Sequence, residues 1–405
     1  MFRPLEGLRI LDLSVLIPGS ACTHHFADYG ADVVKVERPP VGDWLRSVPP
    51  IHDGLSLLHL AFDRNKRSIA IDLRTPEGQA VLHQMARSAD AVVEVSGTRA
   101  MQALRADYET LRQINERIVY LSLTGFGQHS AYARLPTHGA NLAAFAGVAA
   151  ASADANGDLH HAPLPWGRYR LPLEEAALHG AFALLSAIRE RDRTGTGRFL
   201  DVSLVQALMI GDGAAMTDAM NRTSRFWDDW HQPVAKNGYY TAADGKILGV
   251  CPIEERFWAR FCALIGRDDL ADAGDWSAGE VDLAGGSAAL YREVQAALAT
   301  RPRHEWLALF REHRIPSAPL NTIEDALADP ELSGALVVQS PHPTTGESVK
   351  TFAPAVQDPP RSFVANPAPA VGQDAHDVLE EYGVEAHLIE AAQLVGALGA
   401  STVGA

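Results

Sequence analysis

Cysteine is scarce in this chain, with only Cys22, Cys251 and Cys262 among 405 residues. No two of them form a CxxC pair, and the odd number argues against a disulfide framework. The chain has 16 histidines, but none belongs to an HExxH motif or to another metal-ligand spacing. We therefore expect a protein of the reducing cytoplasm that holds no metal.

Positive charge is also scarce, because 35 lysine and arginine residues are outnumbered by 50 aspartate and glutamate residues, for a net charge of −15. This excess of acid excludes a general nucleic-acid binder, which needs a basic surface. No apolar run reaches the roughly 20 residues of a membrane-spanning helix, and the start of the chain lacks the apolar core of a secretory signal. We expect neither nucleic acid nor a membrane as partner, whereas a small anionic ligand could still meet a local cluster of cations.

The first third of the chain shows a regular alternation of strand and helix patterns. Apolar, β-branched runs predict strands at 7–14, 31–37, 67–73, 90–95 and 117–125. Helix patterns with start and stop signals separate them at 20–30, 75–89 and 99–115. Such alternation indicates an α/β fold with a mostly parallel, doubly wound sheet.

The remainder is predicted to be helical over 138–220 apart from a turn at 154–158, and then to form a hairpin that turns at Asp244 and Gly245. The final helix pattern covers 375–398. We place the domains at 1–220 (large domain), 225–325 (smaller α+β domain) and 330–405 (return to the large domain).

Glu37 ends the second predicted strand, where dinucleotide-binding folds keep an acid that binds the ribose. The preceding turn, LSVLIPGS at 13–20, has no GxGxxG pattern, so a nicotinamide cofactor is not predicted. Two interpretations stay open. Glu37 is a plain strand end, or this turn and Arg38 receive a different ligand that contains a nucleotide.

Four cations surround the strand predicted at 67–73, namely Arg64, Lys66, Arg67 and Arg74. Such a concentration is notable in an acidic chain. Either they are solvated strand ends, or they contact phosphate, which guanidinium and ammonium groups both bind.

Two adjacent carboxylates, Glu174 and Glu175, lie in the first turn of a helix that follows Pro172. Acidic residues at a helix start complement the positive end of the helix dipole, which is a sufficient structural explanation. A partly buried carboxylate held by N–H groups can also act as a nucleophile or base. His138, near another predicted helix start, is in the same way either a general base or a structural residue.

The chain carries seven motifs in one order over nearly its whole length: GLRILDLSVLIPGSACTHHFADYGADVVKVERP, NKRSIAIDLRTPEG, LSLTGFGQHSAYA, RERDRTGTGRFLDVSLVQAL, YYTAADGKILGVCPIEERFWARFCALIGRDDL, EWLALFREHRIPSAPLNTIEDALADPEL and PHPTTG. In this order they resemble the family III coenzyme A transferases, the CaiB/BaiF group. That group includes formyl-CoA transferase, the carnitine CoA transferase and α-methylacyl-CoA racemase.

The resemblance implies a Rossmann-like large domain, a smaller α+β domain and an interlocked homodimer. It also implies that the substrates are an acyl-CoA thioester and a small carboxylic acid, with no metal. By position, the residues that would contact the CoA are Leu16, Ile17, Pro18, Arg38, Asp72, Leu73, Arg74, Val95 and Ser96.

The transferases of this family attack the thioester with an aspartate at the start of the helix before a TGxG turn. Counting back from Gly195 places that position at Leu173, and Glu174 is the nearest carboxylate. The resemblance therefore implies ping-pong transfer through Glu174, with Glu175 as the second choice.

Two departures leave the reaction open. The family segment ENFRPG reads EVSGTR at 94–99, and Ile17 stands where formyl-CoA transferase has a functional glutamine. One alternative that the resemblance implies is an acyl-CoA racemase or isomerase, in which His138 would act with Glu174 or Glu254. The other is a CoA-thioester binder without catalysis, since the usual aspartate is missing.

Overall fold

The computed structural model of the chain describes residues 2–149, 151–161, 171–211, 213–221, 234–276, 279, 281–282, 288–334, 336–356 and 363–399. Two compact units contain them. The first unit comprises Met1–Met216 and Gly334–Ala405, and the second comprises Thr217–Ser333. The second unit extends past the predicted 225–325 at both ends.

The strands are, in chain order, β1 (Arg9–Asp12), β2 (Asp32–Glu37), β3 (Ile51–His52), β4 (Leu55–Ser56), β5 (Arg67–Ala70), β6 (Ala91–Glu94), β7 (Val119–Thr124), β8 (Ala151–Ala153), β9 (Leu159–His161), β10 (Phe199–Ser203), β11 (Gly238–Thr241), β12 (Ile247–Val250), β13 (Ser317–Pro319), β14 (Val337–Pro341) and β15 (Ser348–Phe352).

The α-helices are α1 (Leu16–Asp28), α2 (Leu57–Phe62), α3 (Pro76–Ala86), α4 (Thr98–Ala103), α5 (Tyr108–Ile114), α6 (Gly139–Phe145), α7 (Leu171–Thr194), α8 (Leu204–Gly211), α9 (Gly213–Asn221), α10 (Glu255–Leu264), α11 (Ala288–Leu298), α12 (Arg303–Glu312), α13 (Ile323–Ala328), α14 (Pro330–Ser333), α15 (Ala375–Glu381) and α16 (Ala386–Leu394). Within the described residues, two 3₁₀ turns cover Trp44–Ser47 and Asp268–Leu270. None of the described helices is both long and apolar enough to cross a bilayer.

The first unit contains a six-stranded sheet in the order β10-β7-β6-β1-β2-β5, and all of its neighbours pair in parallel. The central strand β1 pairs on both sides, with Ile10 opposite Val33 and Ala91. Strands buried on both faces read as continuous apolar runs, which is the pattern of the sequence here. The predicted parallel sheet is confirmed.

Successive side chains of a strand point to opposite faces, and the sheet therefore has two cores. Ile10 and Val33 pack with α1 and α7 on one face. Leu11 and Val34 pack with α3, α15 and α16 on the other. The return of the chain to the first unit after residue 334 supplies the last two of these helices.

Two predicted helices are each broken in the structure. The helix predicted over 99–115 is α4 and α5, because Asp107 begins a new helix by accepting the Thr110 N–H. The final helix is α15 and α16, separated at Gly383, whose φ of +67° ends the first of them. The predicted turn at 154–158 connects the small hairpin β8–β9.

The second unit is built on a three-stranded antiparallel sheet in the order β11-β12-β13. The predicted hairpin turn at Asp244 and Gly245 is confirmed, with a φ of +73° at Gly245 that favours glycine. Trp258 and Trp306 lie in the buried core between this sheet and helices α10–α12.

Candidate functional site

The residues predicted to contact CoA follow directly after four neighbouring strands of the parallel sheet. Leu16 to Pro18 follow β1, Arg38 follows β2, Asp72 to Arg74 follow β5, and Val95 and Ser96 follow β6. Parallel strands end on the same side, so the structure brings all of these residues to one edge, here called the carboxyl edge. In open α/β sheets, ligands bind outside this edge.

The turn between β1 and α1 has an unusual backbone. Leu16 has a φ of +64°, a left-handed conformation that favours glycine. Its N–H donates to both carboxylate oxygens of Asp43, at 3.0 and 3.1 Å. The buried Asp43 in turn pairs with the Lys35 Nζ at 2.9 Å. The start of α1 therefore already holds an anion that belongs to the protein.

Behind this turn, buried lysines and carboxylates form a continuous ion-pair network. The Lys66 Nζ lies 3.1 Å from Asp12 Oδ2 and 2.8 Å from Asp63 Oδ1. Burial by itself would raise the pKa of the Asp12 carboxyl, but Lys35 and Lys66 hold that pKa below its ordinary value. The pKa of Asp63 is likewise held far below its usual range, against burial, chiefly by Lys66 and Lys35.

Glu37 belongs to the same buried region. Its carboxylate accepts two hydrogen bonds from Arg46, from Nε at 2.8 Å and Nη2 at 2.6 Å, and a third from the Ser68 hydroxyl at 2.6 Å. Both oxygens are thus used internally. Glu37 is neither a ribose-binding acid nor a plain strand end, because it anchors the 3₁₀ turn that carries Arg46.

The phosphate-contact interpretation is wrong for two of the four cations near β5. Arg64 and Lys66 are buried, and Arg64 pairs with Asp28. Arg67 is partly buried and pairs with Asp32 and Glu381. The solvated-end interpretation also fails for Arg64 and Lys66, because both are buried and paired with internal carboxylates.

Arg74 is the exposed member of that cluster, with 57% of its side chain accessible. Hydrogen bonds from Arg74, together with the charge of Arg38, hold the pKa of the Asp72 carboxyl below its ordinary value. Arg38 is exposed as well. Two guanidinium groups near one carboxylate thus lie at the carboxyl edge, where an anionic ligand could reach them.

Glu94 was not predicted as a site residue, and it organises the loop after β6. Its buried Oε2 accepts the N–H groups of Ser96 at 2.6 Å and Gly97 at 2.7 Å. Burial raises the pKa of Glu94 in spite of these hydrogen bonds. A glutamate at the end of an otherwise apolar strand, DAVVEV, is the signal that could have identified it.

Helix α7 places the two adjacent glutamates. It connects parallel strands and therefore begins at the carboxyl edge, and its Gly180 lies directly against Leu123 near the end of β7. Leu173, the position counted for the family aspartate, is buried in the core. Glu174 is half-buried in the first turn, whereas Glu175 is 47% exposed beside His179, with Oε1 and Nε2 3.5 Å apart.

Of the two possible acid–base pairs, His138 and Glu174 belong to the first unit, whereas His138 and Glu254 belong to different units. His138 is exposed immediately before α6, and its neighbour Thr137 lies against Gly125, which follows β7. His138 is therefore near the carboxyl edge. Glu254 is in the second unit, where it precedes α10. Among the residues that the structure describes, no group of three metal-ligating side chains could hold a metal ion.

His24 is buried on α1, with its ring centroid 5.5 Å from Phe62 and 5.8 Å from Phe352. Burial lowers the pKa of His24 from 6.5 to about 4, although Asp28 favours the charged form. The imidazole is therefore neutral in the folded chain near neutral pH.

We expect the free energy of unfolding to decrease as the pH is lowered from 6.5 to about 4. In this range His24 takes up a proton in the unfolded chain but stays neutral in the folded chain. The loss has an upper size of roughly 3 kcal/mol. Urea titrations across this range should show a shallower decline for His24→Gln. The exposed His387→Gln is the control, and identical slopes for His24→Gln and wild type would contradict the expectation.

Comparison with known proteins identifies the family. The model of CoA-transferase family III matches residues 5–375. The human succinyl-CoA:glutarate CoA-transferase is 28% identical over 388 residues, which cover 94% of this chain and 86% of the relative. An acyl-CoA transferase of Fusarium pseudograminearum is 30% identical over 411 residues, which cover 95% and 86%.

A solved structure shares the fold. The crystal structure of Rv3272 from Mycobacterium tuberculosis matches with a TM-score of 0.76 at 25% identity, covering 92% of this chain and 98% of the other. The resemblance found in the motifs is confirmed by the family match. The chain is an enzyme that belongs to CoA-transferase family III.

Proposed function

We propose that the enzyme transfers CoA from an acyl-CoA to a small carboxylic acid, with Glu174 as the nucleophile. The observation that carries the proposal is the half-buried Glu174 in the first turn of α7, at the carboxyl edge. Helix N–H groups there favour an ionised carboxylate. The human relative is named for succinyl-CoA and glutarate, which makes these two compounds the first substrates to test.

The proposed reaction proceeds through covalent intermediates. The Glu174 carboxylate attacks the thioester carbonyl and the C–S bond breaks. This step releases the CoA thiolate and forms a mixed anhydride between Glu174 and the acyl group. The thiolate then attacks the glutamyl carbonyl, which releases the first acid and forms a glutamyl-CoA thioester. The acceptor carboxylate repeats both steps in reverse order, and Glu174 is regenerated. One thioester is consumed and one is formed, so the overall exchange is close to balanced in energy and no acyl group is lost to water.

The bound CoA is proposed to extend along the carboxyl edge, with Leu16, Ile17 and Pro18 on one side. Arg38 and the segment Asp72, Leu73 and Arg74 would meet the nucleotide, and Val95 and Ser96 would meet the rest of the cofactor. Support comes from the exposure of the two arginines and from the position of all these residues at one edge.

We also propose that the enzyme acts in the cytoplasm as an interlocked homodimer. Three free cysteines favour a reducing compartment. Leu178 and Phe182 of α7 are exposed and line an apolar groove of about 500 Å³ together with Phe352. Exposed apolar surface of this kind is typical of a subunit contact. A single-chain mass in analytical ultracentrifugation would contradict the dimer.

The test of the function is to trap the intermediate. Purified enzyme is incubated with succinyl-CoA and then with hydroxylamine, and its peptides are sequenced by mass spectrometry. We expect a hydroxamate on Glu174 and CoA transfer to glutarate. Transfer without any trapped carboxylate would remove the covalent route.

The alternatives give different results in parallel measurements. A racemase or isomerase using His138 would incorporate deuterium from solvent at the α-carbon of the acyl group, with no acceptor acid present. A non-catalytic binder would do neither, while CoA would still raise its melting temperature. Either outcome would contradict the transferase proposal.

A further inference from the structure

The Asp43 carboxylate is fully engaged at the start of α1. It accepts the N–H groups of Leu16 at 3.0 Å and Leu45 at 2.9 Å, and it pairs with the Lys35 Nζ at 2.9 Å. About 1% of either charged side chain is accessible. A carboxylate buried to this extent is stable only with such partners.

Lys35 connects the same carboxylate to the rest of the turn. Its Nζ donates to the Ser14 carbonyl at 3.2 Å and to the Ser20 hydroxyl at 2.9 Å. Lys35 therefore holds the two ends of the turn, Ser14 and Ser20, and Asp43 holds Leu16 between them. Neither residue reaches the solvent in which a ligand would arrive.

The backbone of Leu16 needs this support. A non-glycine residue in the left-handed region costs on the order of 1–3 kcal/mol unless its surroundings hold it there. The hydrogen bonds from the Leu16 N–H to Asp43 support this conformation on the N-terminal side of the residue. Without them, the turn that presents Ile17 and Pro18 would relax.

Nucleotide-binding α/β folds commonly place a ligand phosphate at the N-terminus of the first helix, where free N–H groups bind it. Here Asp43 accepts the Leu16 N–H, so a protein carboxylate occupies that position. Arg38 and Arg74 are exposed at the carboxyl edge and can bind a ligand phosphate, while the turn contributes its shape.

We propose that Asp43 and Lys35 are positioning residues for CoA, which hold the Ser14–Ser20 turn in the conformation that the ligand fits. This inference rests on the proposed contact between CoA and Leu16, Ile17 and Pro18. It assigns no chemical step to either residue, because both act through the backbone of the turn.

The test compares Asp43→Asn with wild type and with the exposed control Asp377→Asn. Asparagine loses one of the two oxygens that accept the Leu16 N–H and also loses the charge that pairs with Lys35. We expect the KM for succinyl-CoA and the Kd for CoA, by titration calorimetry, to rise about tenfold, with kcat within about twofold of wild type. Asp377→Asn should leave all three values unchanged.

A double-mutant cycle separates positioning from a general loss of stability. Glycine adopts a φ of +64° freely, so the effect of Asp43→Asn on the CoA Kd should fall to about threefold in a Leu16→Gly background. An equal effect in both backgrounds, or an unchanged Kd in Asp43→Asn, would overturn the inference. Wild-type enzyme that binds no CoA would overturn the proposed function as well.

Discussion

Glu174→Gln is expected to abolish CoA transfer, with kcat for succinyl-CoA and glutarate reduced by at least about 10³-fold. The amide has nearly the shape of the carboxylate but cannot attack a thioester carbonyl. Binding of CoA should persist, since the residues proposed to contact the nucleotide are unchanged. Steady-state rates and the shift of the melting temperature by CoA measure the two quantities separately.

Glu175→Gln is the matched control, because it makes the same change one residue further along α7. The Glu175 side chain is 47% exposed and lies beside His179, so it is largely open to solvent. We expect the kcat of Glu175→Gln to be within about twofold of wild type. A reversed result, with Glu175→Gln inactive and Glu174→Gln active, would move the nucleophile to Glu175. If both variants were active, no carboxylate of this pair would be the nucleophile.

Lys66→Met is expected to lower the free energy of unfolding of the first unit by about 3–5 kcal/mol. Methionine fills a similar volume, but it leaves the buried carboxylates of Asp12 and Asp63 without the ammonium group that lies within 3.1 Å of both. Removing one partner of a buried ion pair costs far more than the pair contributes, because the remaining charge stays out of water. Urea denaturation followed by circular dichroism measures the change.

Arg198→Met is the control for this prediction, because Arg198 forms an ion pair with Glu190 on the surface of the same unit, at 2.7 Å. Water screens that pair, and its loss should cost less than about 1 kcal/mol. Similar destabilisation by both variants would show that the buried network does not have the role assigned to it.

The sequence was sufficient for five of the six strands of the sheet because their signals are local, whereas β10 lies in the span that was predicted to be helical. Runs such as RILD and AVVE are apolar on both faces of the strand, which is the pattern of a parallel strand covered by helices on two sides. The hairpin at Asp244 and Gly245 was predictable for a similar reason, since its turn chemistry lies within two residues. The breaks near Asp107 and Gly383 were missed because an amphipathic pattern continues across them.

The ion pairs of the first unit could not be predicted in the same way. Lys66 and Asp12 are 54 positions apart in the chain, and no local pattern indicates that they meet. From the sequence, a cation near a strand end is interpreted as solvated or as a ligand contact. Burial distinguishes a cation in an internal ion pair from these two cases, and the local sequence does not reveal burial. The same limit applied to Glu37, whose partner Arg46 lies in a separate turn.

By itself, the sequence determined the α/β class, the alternation of strands and helices in the first third of the chain, the family, and the carboxylate pair at the start of α7. Each of these depends on neighbouring residues or on the order of motifs. Only the tertiary structure decided which charges are buried and paired. Folding removes Asp12, Asp43 and Lys35 from water and joins residues far apart in the chain, and the turn after β1 acquires its conformation from those contacts.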